Sequence, residues 1–126
     1  VKLRALDDWN ERRRRIAQTY LHALNEHPAL TLPQIALDVD PVWHLFVVRA
    51  RERDLMQRRL SDRGIDTLIH YPVPPHLQGA YSARTFPKGQ LHQTELLANE
   101  VLSLPIGPHM SDRAVQTVIE ELWGLA

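Results

Sequence analysis

A chain of 126 residues is the length of one domain, long enough to bury roughly two-thirds of the surface its unfolded form exposes. Fifteen basic side chains balance fifteen acidic ones, so the positive excess required of a general nucleic-acid or anionic-membrane binder is missing. With no cysteine there is neither a disulfide framework nor a thiolate metal site, and a cytoplasmic setting is the expectation.

Leu3, Leu6, Trp9, Ile16, Tyr20 and Leu24 recur at three- and four-residue steps, which predicts a helix over residues 1–25. Arg12 to Arg15 interrupt the stripe, so the middle of this helix is expected to face a carboxylate, solvent or another chain. Asp7, Asp8 and Glu11 offset that charge one turn away, which favours a solvated or intersubunit face over a nucleic-acid patch. No cap precedes Leu3 and no signal peptide is visible, so the natural N-terminus is expected upstream of Val1.

An irregular stretch around Pro28 and Pro33 leads to Trp43–Ala50, apolar on both faces and read as a central strand. It contains the longest apolar run, Leu45 to Val48, far too short to span a membrane. His44 on this strand is expected to be a core histidine bonded to backbone. A short helix over Arg53–Arg63 follows, with Asp54 and Arg63 placed to suit its dipole. Gly64 stands just past its cap, and Ile65 can close onto Leu60 in a Schellman ending. Arg49, Arg51 and Arg53 precede the helix start, either to meet a phosphate or as strand-end surface charges.

Thr67–Tyr71 reads as the next strand, stopped by Pro72, Pro74 and Pro75, which fix φ and remove backbone donors. Thr94–Val101 fits a helix and Leu102–Leu104 a short strand ended by Pro105. The last helix is capped by Ser111, with Val115, Val118, Ile119, Leu122 and Trp123 on one stripe before Gly124. These elements sum to an α+β layer, a small sheet of about three strands covered by about four helices.

His70-Tyr71-Pro72-Val73-Pro74-Pro75-His76-Leu77-Gln78-Gly79-Ala80-Tyr81 is the stretch richest in chemistry. Its three prolines lower the entropy of ordering the segment, so its imidazoles, amide and phenols can be held in fixed positions for a ligand. The plain alternative is a proline-rich surface connection whose aromatics cover the core. The seven histidines show no i, i+4 pair on a helix, so a metal site is not expected.

The run GIDTLIHYPVPPHLQGAY, followed by ELLANEVLSLPIGPHMSD, resembles the C-terminal part of the DegT/StrS family of nucleotide-sugar aminotransferases. VKLRALDDWNERRRRIAQTYLHAL is similar to the helix leaving that family's large domain, and VWHLFVVRARERDLMQRRLSDRGI to the strand and helix that follow. The similarity runs through nearly the whole chain in order and is nearest to members acting on dTDP-3-keto-6-deoxyhexoses.

The resemblance implies the small domain of a homodimeric fold-type-I aminotransferase. In that family pyridoxal phosphate (PLP) sits on a lysine of the large domain, and glutamate usually gives its amino group to a keto-deoxy sugar nucleotide. The two lysines here, Lys2 and Lys88, match neither that position nor its context, so this chain alone is expected to be inactive and to hold neither catalytic residues nor cofactor ligands. Carried over residue by residue, His70, Tyr71, His76 and Gln78 fall on the loop approaching the active site and are the expected substrate contacts. Leu6, Trp9 and Tyr20 are expected to be uncovered in the free chain. An independent α+β small-molecule binding or regulatory domain is the competing reading.

Overall fold

The computed structural model describes residues 2–81 and 86–126. A 3-10 turn over Lys2–Ala5 leads into helix α1, Leu6–Ala23, whose start has no side-chain cap, as the sequence suggested. Strands β1 (Leu30–Thr31), β2 (Phe46–Ala50) and β3 (Val101–Leu104) form one antiparallel sheet in the order β1-β2-β3. Leu30 pairs with Ala50, and Phe46 and Val48 pair with Leu104 and Leu102. Helices α2 (Arg53–Asp62), α3 (His92–Glu100) and α4 (Asp112–Trp123) complete an α+β layer of three strands and four α-helices among the described residues.

Alternation along β2 decides which sheet face is covered. Phe46, Val48 and Ala50 are buried, whereas Val47 and Arg49 are half-buried. Ile16, Tyr20 and Leu24 of α1, Met56 and Leu60 of α2, and Val115, Val118, Ile119 and Leu122 of α4 close over that face. Each large aliphatic or aromatic side chain enclosed this way stabilises the fold by about 1.5–3 kcal/mol. The Tyr20 and Phe46 rings meet with centroids 5.1 Å apart, so α1 is keyed to the central strand.

Two helix ends follow their sequence signals closely. Ser111 accepts from the Ala114 amide at 3.2 Å, satisfying a free donor of α4. At the end of α2 the Gly64 amide reaches Ser61 O at 2.9 Å and the Ile65 amide reaches Leu60 O at 2.9 Å, the paired bonds of a Schellman ending. Gly64 has φ +76°, a left-handed conformation that side chains with a Cβ rarely adopt.

Other expectations need correcting. Trp43–Ala50 is not strand throughout: Trp43 has φ +53°, which takes it out of the extended region, and pairing begins at Phe46. Thr67–Tyr71 is reduced to a single bridge, Leu68 with Ser103, because Pro72 follows too soon for a ladder to extend. The third strand is instead the short β1, inside the stretch read as irregular. His44 is exposed rather than a core residue, since it lies before the paired part of β2. Tyr20 is fully enclosed rather than uncovered, while Leu6 and Trp9 remain partly open.

The arginine run of α1 is also more engaged than a solvated face would be. Arg12 donates to Met110 O at 2.6 Å and pairs with Asp112, tying α1 to the approach to α4. Arg14 pairs in two-pronged fashion with Asp40 and also meets Glu11, which raises its pKa, Asp40 being the larger cause. Arg15 alone of the four is exposed. Among the described residues no helix is long and apolar enough to cross a membrane.

Candidate functional site

The site begins where the chain leaves α2 and touches β3 once. Leu68 N–H donates to Ser103 O at 3.2 Å, and Ser103 N–H returns a bond to Leu68 O at 2.7 Å. Two residues further on, His70 Nδ1 lies 3.0 Å from Ser103 Oγ. The His70–Tyr71 peptide is cis. The Tyr71 ring meets the His70 ring edge-on at 5.6 Å and is 68% exposed, the most open aromatic of the segment.

After Pro72 the chain coils into 3-10 turns over Pro75–Leu77 and Gly79–Tyr81. Leu77 N–H caps back to Pro74 O at 2.9 Å, and Gln78 Nε2 donates to Val73 O at 3.3 Å. His76 is turned inward, its side chain 7% exposed, with Nε2 3.1 Å from Glu95 Oε1 on the first turn of α3. The same carboxylate oxygen accepts the Gly89 amide at 2.7 Å. Gly89 has φ +92°, so the turn that aims its amide depends on glycine. The Gly89 amide, and then His76, hold the Glu95 carboxyl below the usual carboxylate range, against the opposing effect of burial.

The structure therefore separates the four expected contact residues into two kinds. Tyr71 and His70 sit together at the bridge end, one exposed and one half-buried. His76 and Gln78 each turn one nitrogen to the loop's own shape, Nε2 of His76 to Glu95 and Nε2 of Gln78 to Val73, while His76 Nδ1 is buried without a hydrogen-bond partner among the described residues. The segment 82–85 lies outside the described residues.

His70 and Ser103 also line a cleft of about 300 Å³ that His44, Asp66, Leu68 and His109 share. Gly107 belongs to the same corner: a Cβ there would come within 2.5 Å of the His109 ring, so glycine makes room for that imidazole. Among the described residues no group of three histidines or carboxylates is gathered for a metal ion.

Neither lysine reaches this cleft. Lys2 is in the opening 3-10 turn and Lys88 in the turn before α3, both exposed. The described residues thus offer no amine beside the imidazoles on which PLP could be carried, and no chemical step through that cofactor follows from them.

The arginines before α2 are not a phosphate site as a group. Arg53, 6% exposed, donates to Ala98 O at 3.2 Å and Val101 O at 3.0 Å and meets Asp54 at 2.6 Å, closing the end of α3. It is a buried cap, correcting the expectation of a surface charge. Arg49 holds Glu100 through two nitrogens, and Arg51 is exposed.

Sequence reasoning missed Ser103, Glu95 and His27. The buried His27 donates from Nε2 to Leu122 O at 3.0 Å and accepts the Ala29 amide at 3.2 Å, holding the α1–β1 turn on α4. Ser103 gave no signal of its own: between Leu102 and Leu104 it takes the alternate face of β3, opposite Val47, where strand alternation expects a polar residue.

Comparison with known proteins bears on this arrangement. A family model described as the DegT/DnrJ/EryC1/StrS aminotransferase family matches residues 1–123. The chain is 52% identical over 122 residues to the erythromycin biosynthesis sensory transduction protein EryC1 of Saccharopolyspora erythraea, covering 97% of this chain and 33% of that protein. It is 49% identical over 120 residues to dTDP-3-amino-3,4,6-trideoxy-alpha-D-glucose transaminase of Streptomyces venezuelae, covering 95% and 32%. The crystal structure of S. venezuelae DesV in complex with a ketimine intermediate superposes with a TM-score of 0.95 at 48% identity, covering 98% of this chain and 33% of that one. The chain spans about a third of the length of the relatives it matches.

Proposed function

Since this chain belongs to the DegT/DnrJ/EryC1/StrS aminotransferase family, we propose that it is the C-terminal small domain of a PLP-dependent sugar aminotransferase. The intact enzyme passes an amino group, from glutamate, to a keto-deoxy sugar nucleotide of the dTDP class. It works in the cytoplasm as a homodimer, with PLP held on a lysine of the large domain. Residues 1–126 form one domain, residues 1–25 being the segment that leaves the large one. Support comes from the similarity to a dTDP-sugar transaminase across 95% of this chain. The partly open Leu3, Leu6 and Trp9 on the first helical segment suit packing against further polypeptide.

In this reading the loop after Leu68 forms the sugar-nucleotide side of the active site. His70, Tyr71, His76 and Gln78 are its substrate-binding residues. Tyr71 and His70 touch the substrate, whereas His76 and Gln78 add to binding chiefly by keeping the loop in form. The observation that carries this is the pairing of an exposed phenol with an imidazole anchored to β3, since polar groups held by a scaffold lose little freedom on binding. None of the four needs to act as acid or base. They bind and orient the substrate while the cofactor, when bound, supplies the electron sink for amino transfer.

The test is amino transfer by the full-length polypeptide encoded in the intact reading frame, with glutamate as donor and a dTDP-3-keto-6-deoxyhexose as acceptor. Product carrying the amino group supports the reading. Absence of turnover with every keto sugar nucleotide, by a full-length protein that binds PLP, would overturn it.

A further inference from the structure

We infer that Ser103 fixes the tautomer of His70, so that the ring presents Nε2–H as a hydrogen-bond donor to an oxygen acceptor of the substrate. The ligand half of this inference rests on the reading of His70 as a substrate contact. The tautomer half stands on geometry alone.

Ser103 is 5% exposed, and Leu68 takes up both its backbone amide and its carbonyl. A buried hydroxyl carries a proton that needs an acceptor, because leaving it unmet forfeits the hydrogen bond it made to water in the unfolded chain. Among the described residues, the hydrogen bond of Ser103 Oγ is to His70 Nδ1. The hydroxyl therefore donates, and Nδ1 receives with its lone pair. A neutral imidazole unprotonated at Nδ1 carries its proton at Nε2. That nitrogen makes no hydrogen bond among the described residues, and His70 lines the 300 Å³ cleft together with Ser103.

The bridge makes the arrangement hard to evade. Leu68 and Ser103 exchange two backbone bonds, which sets the register, and His70, two residues beyond, lines the same cleft as Leu68 and Ser103. The loop's two imidazoles are thus anchored by opposite nitrogens: His76 by Nε2 on Glu95, His70 by Nδ1 on Ser103. His70 is left with a donor to offer. The chemistry that fits a donor N–H is an acceptor oxygen, whether a keto or hydroxyl oxygen of the sugar or a phosphate oxygen. A ligand amine, itself a donor, is disfavoured at this point. Ser103 is then a positioning residue, acting on the substrate through His70.

The tautomer is read by long-range ¹H–¹⁵N spectra of the histidine-labelled chain, whose core closes within itself, with the His70 signals assigned by His70→Gln. Wild type and Ser103→Thr, which keeps a hydroxyl, should both show the Nε2–H pattern, and Ser103→Ala should show a mixture of tautomers. In the full-length enzyme Ser103→Ala should raise KM for the sugar nucleotide about tenfold, the loss of one well-aimed hydrogen bond. The half-reaction with the amino donor should be unaltered, and Ser103→Thr should restore KM. An Nδ1–H pattern in wild type, or a pattern identical in Ser103→Ala, overturns the inference. If the tautomer shifts as expected yet neither Ser103→Ala nor His70→Ala changes KM, the oxygen-acceptor assignment and the substrate reading of His70 both fall while the tautomer assignment holds. Use of dTDP and inorganic phosphate as competing ligands separates the two oxygen sources: competition lost in His70→Ala assigns a phosphate oxygen, and unchanged competition assigns the sugar.

Discussion

The Tyr20 hydroxyl donates to the Pro105 carbonyl at 2.9 Å, joining α1 to the residue that follows β3. The ring is fully buried against Phe46, and burial pushes the pKa of its hydroxyl well above the ordinary value of 10.0. Tyr20→Phe should cost about 1 kcal/mol, through the carbonyl left unmet, and Tyr20→Ala about 3–5 kcal/mol through the cavity as well. The same residue sets an alkaline limit. Its neutral form is favoured in the folded state, so its stabilisation is complete below pH 10 and is lost as pH rises beyond it, where the unfolded chain sheds the proton first. Urea melts of wild type and Tyr20→Phe from pH 8 to 11 should converge at the alkaline end. Parallel curves would show that another group governs the decline.

Glu95 gathers the Gly89 amide and His76 on one oxygen, so the loop depends on its charge. Its carboxyl titrates below the ordinary value of 4.5, which means that the anchoring is present above that pH and fades as pH falls through the lower, folded-state value. Hydrogen exchange at the Gly89 amide should be slow at neutral pH and lose protection in acid. Glu95→Gln should remove most of that protection at every pH while the amides of β2 keep theirs. Equal protection in the variant would mean that the turn holds itself.

In the full-length enzyme, His70→Ala and Tyr71→Phe should each lower kcat/KM for the sugar nucleotide by roughly ten- to a hundredfold, the worth of a hydrogen bond to a charged ligand. His76→Ala and Gln78→Ala should act in the same direction and more weakly, through loop shape. Single-turnover measurement of each half-reaction is the check, and the glutamate half should change little. An equal fall in both halves would make the loop structural only.

The chain by itself should fold and be catalytically silent. Mixed with PLP it should give no stable aldimine absorbance that disappears with Lys2→Ala or Lys88→Ala. Turnover accompanied by a borohydride-trapped adduct on either lysine would contradict the proposal.

Trp9 is 37% and Leu6 40% exposed, with Leu3 more open still on the adjoining 3-10 turn. Sedimentation of the isolated chain should therefore show concentration-dependent association, reduced by Trp9→Glu. A monomer at every concentration would mean that this face needs no cover.

Where a signal was local, the sequence was readable. Ser111 and Gly64 each act within a few residues, and both end their helices as their types require. The strand β1 was hidden because Leu30 and Thr31 are only two residues between prolines, with no alternation to count. Arg53 looked like a surface charge because its acceptors, the Ala98 and Val101 carbonyls, lie far along the chain. The site shows the same division. Residue types drew notice to the proline-rich segment and the family resemblance picked out His70, Tyr71, His76 and Gln78 within it, but Ser103 and Glu95, which decide how the two imidazoles are held, come from elements that only the fold brings near.

Trp123 donates its indole N–H to the Ala23 carbonyl at 3.0 Å and lies 4.9 Å from the His27 ring, at the seam between α1 and α4. The seam therefore carries its own optical gauge. An indole bonded to a helix-end carbonyl and 41% exposed emits from a mixed environment, and emission moves to longer wavelength when that bond gives way to water. With Trp9 and Trp43 replaced by phenylalanine, the remaining fluorescence reports how far the two helices stand apart, without any added dye, and follows their separation in real time.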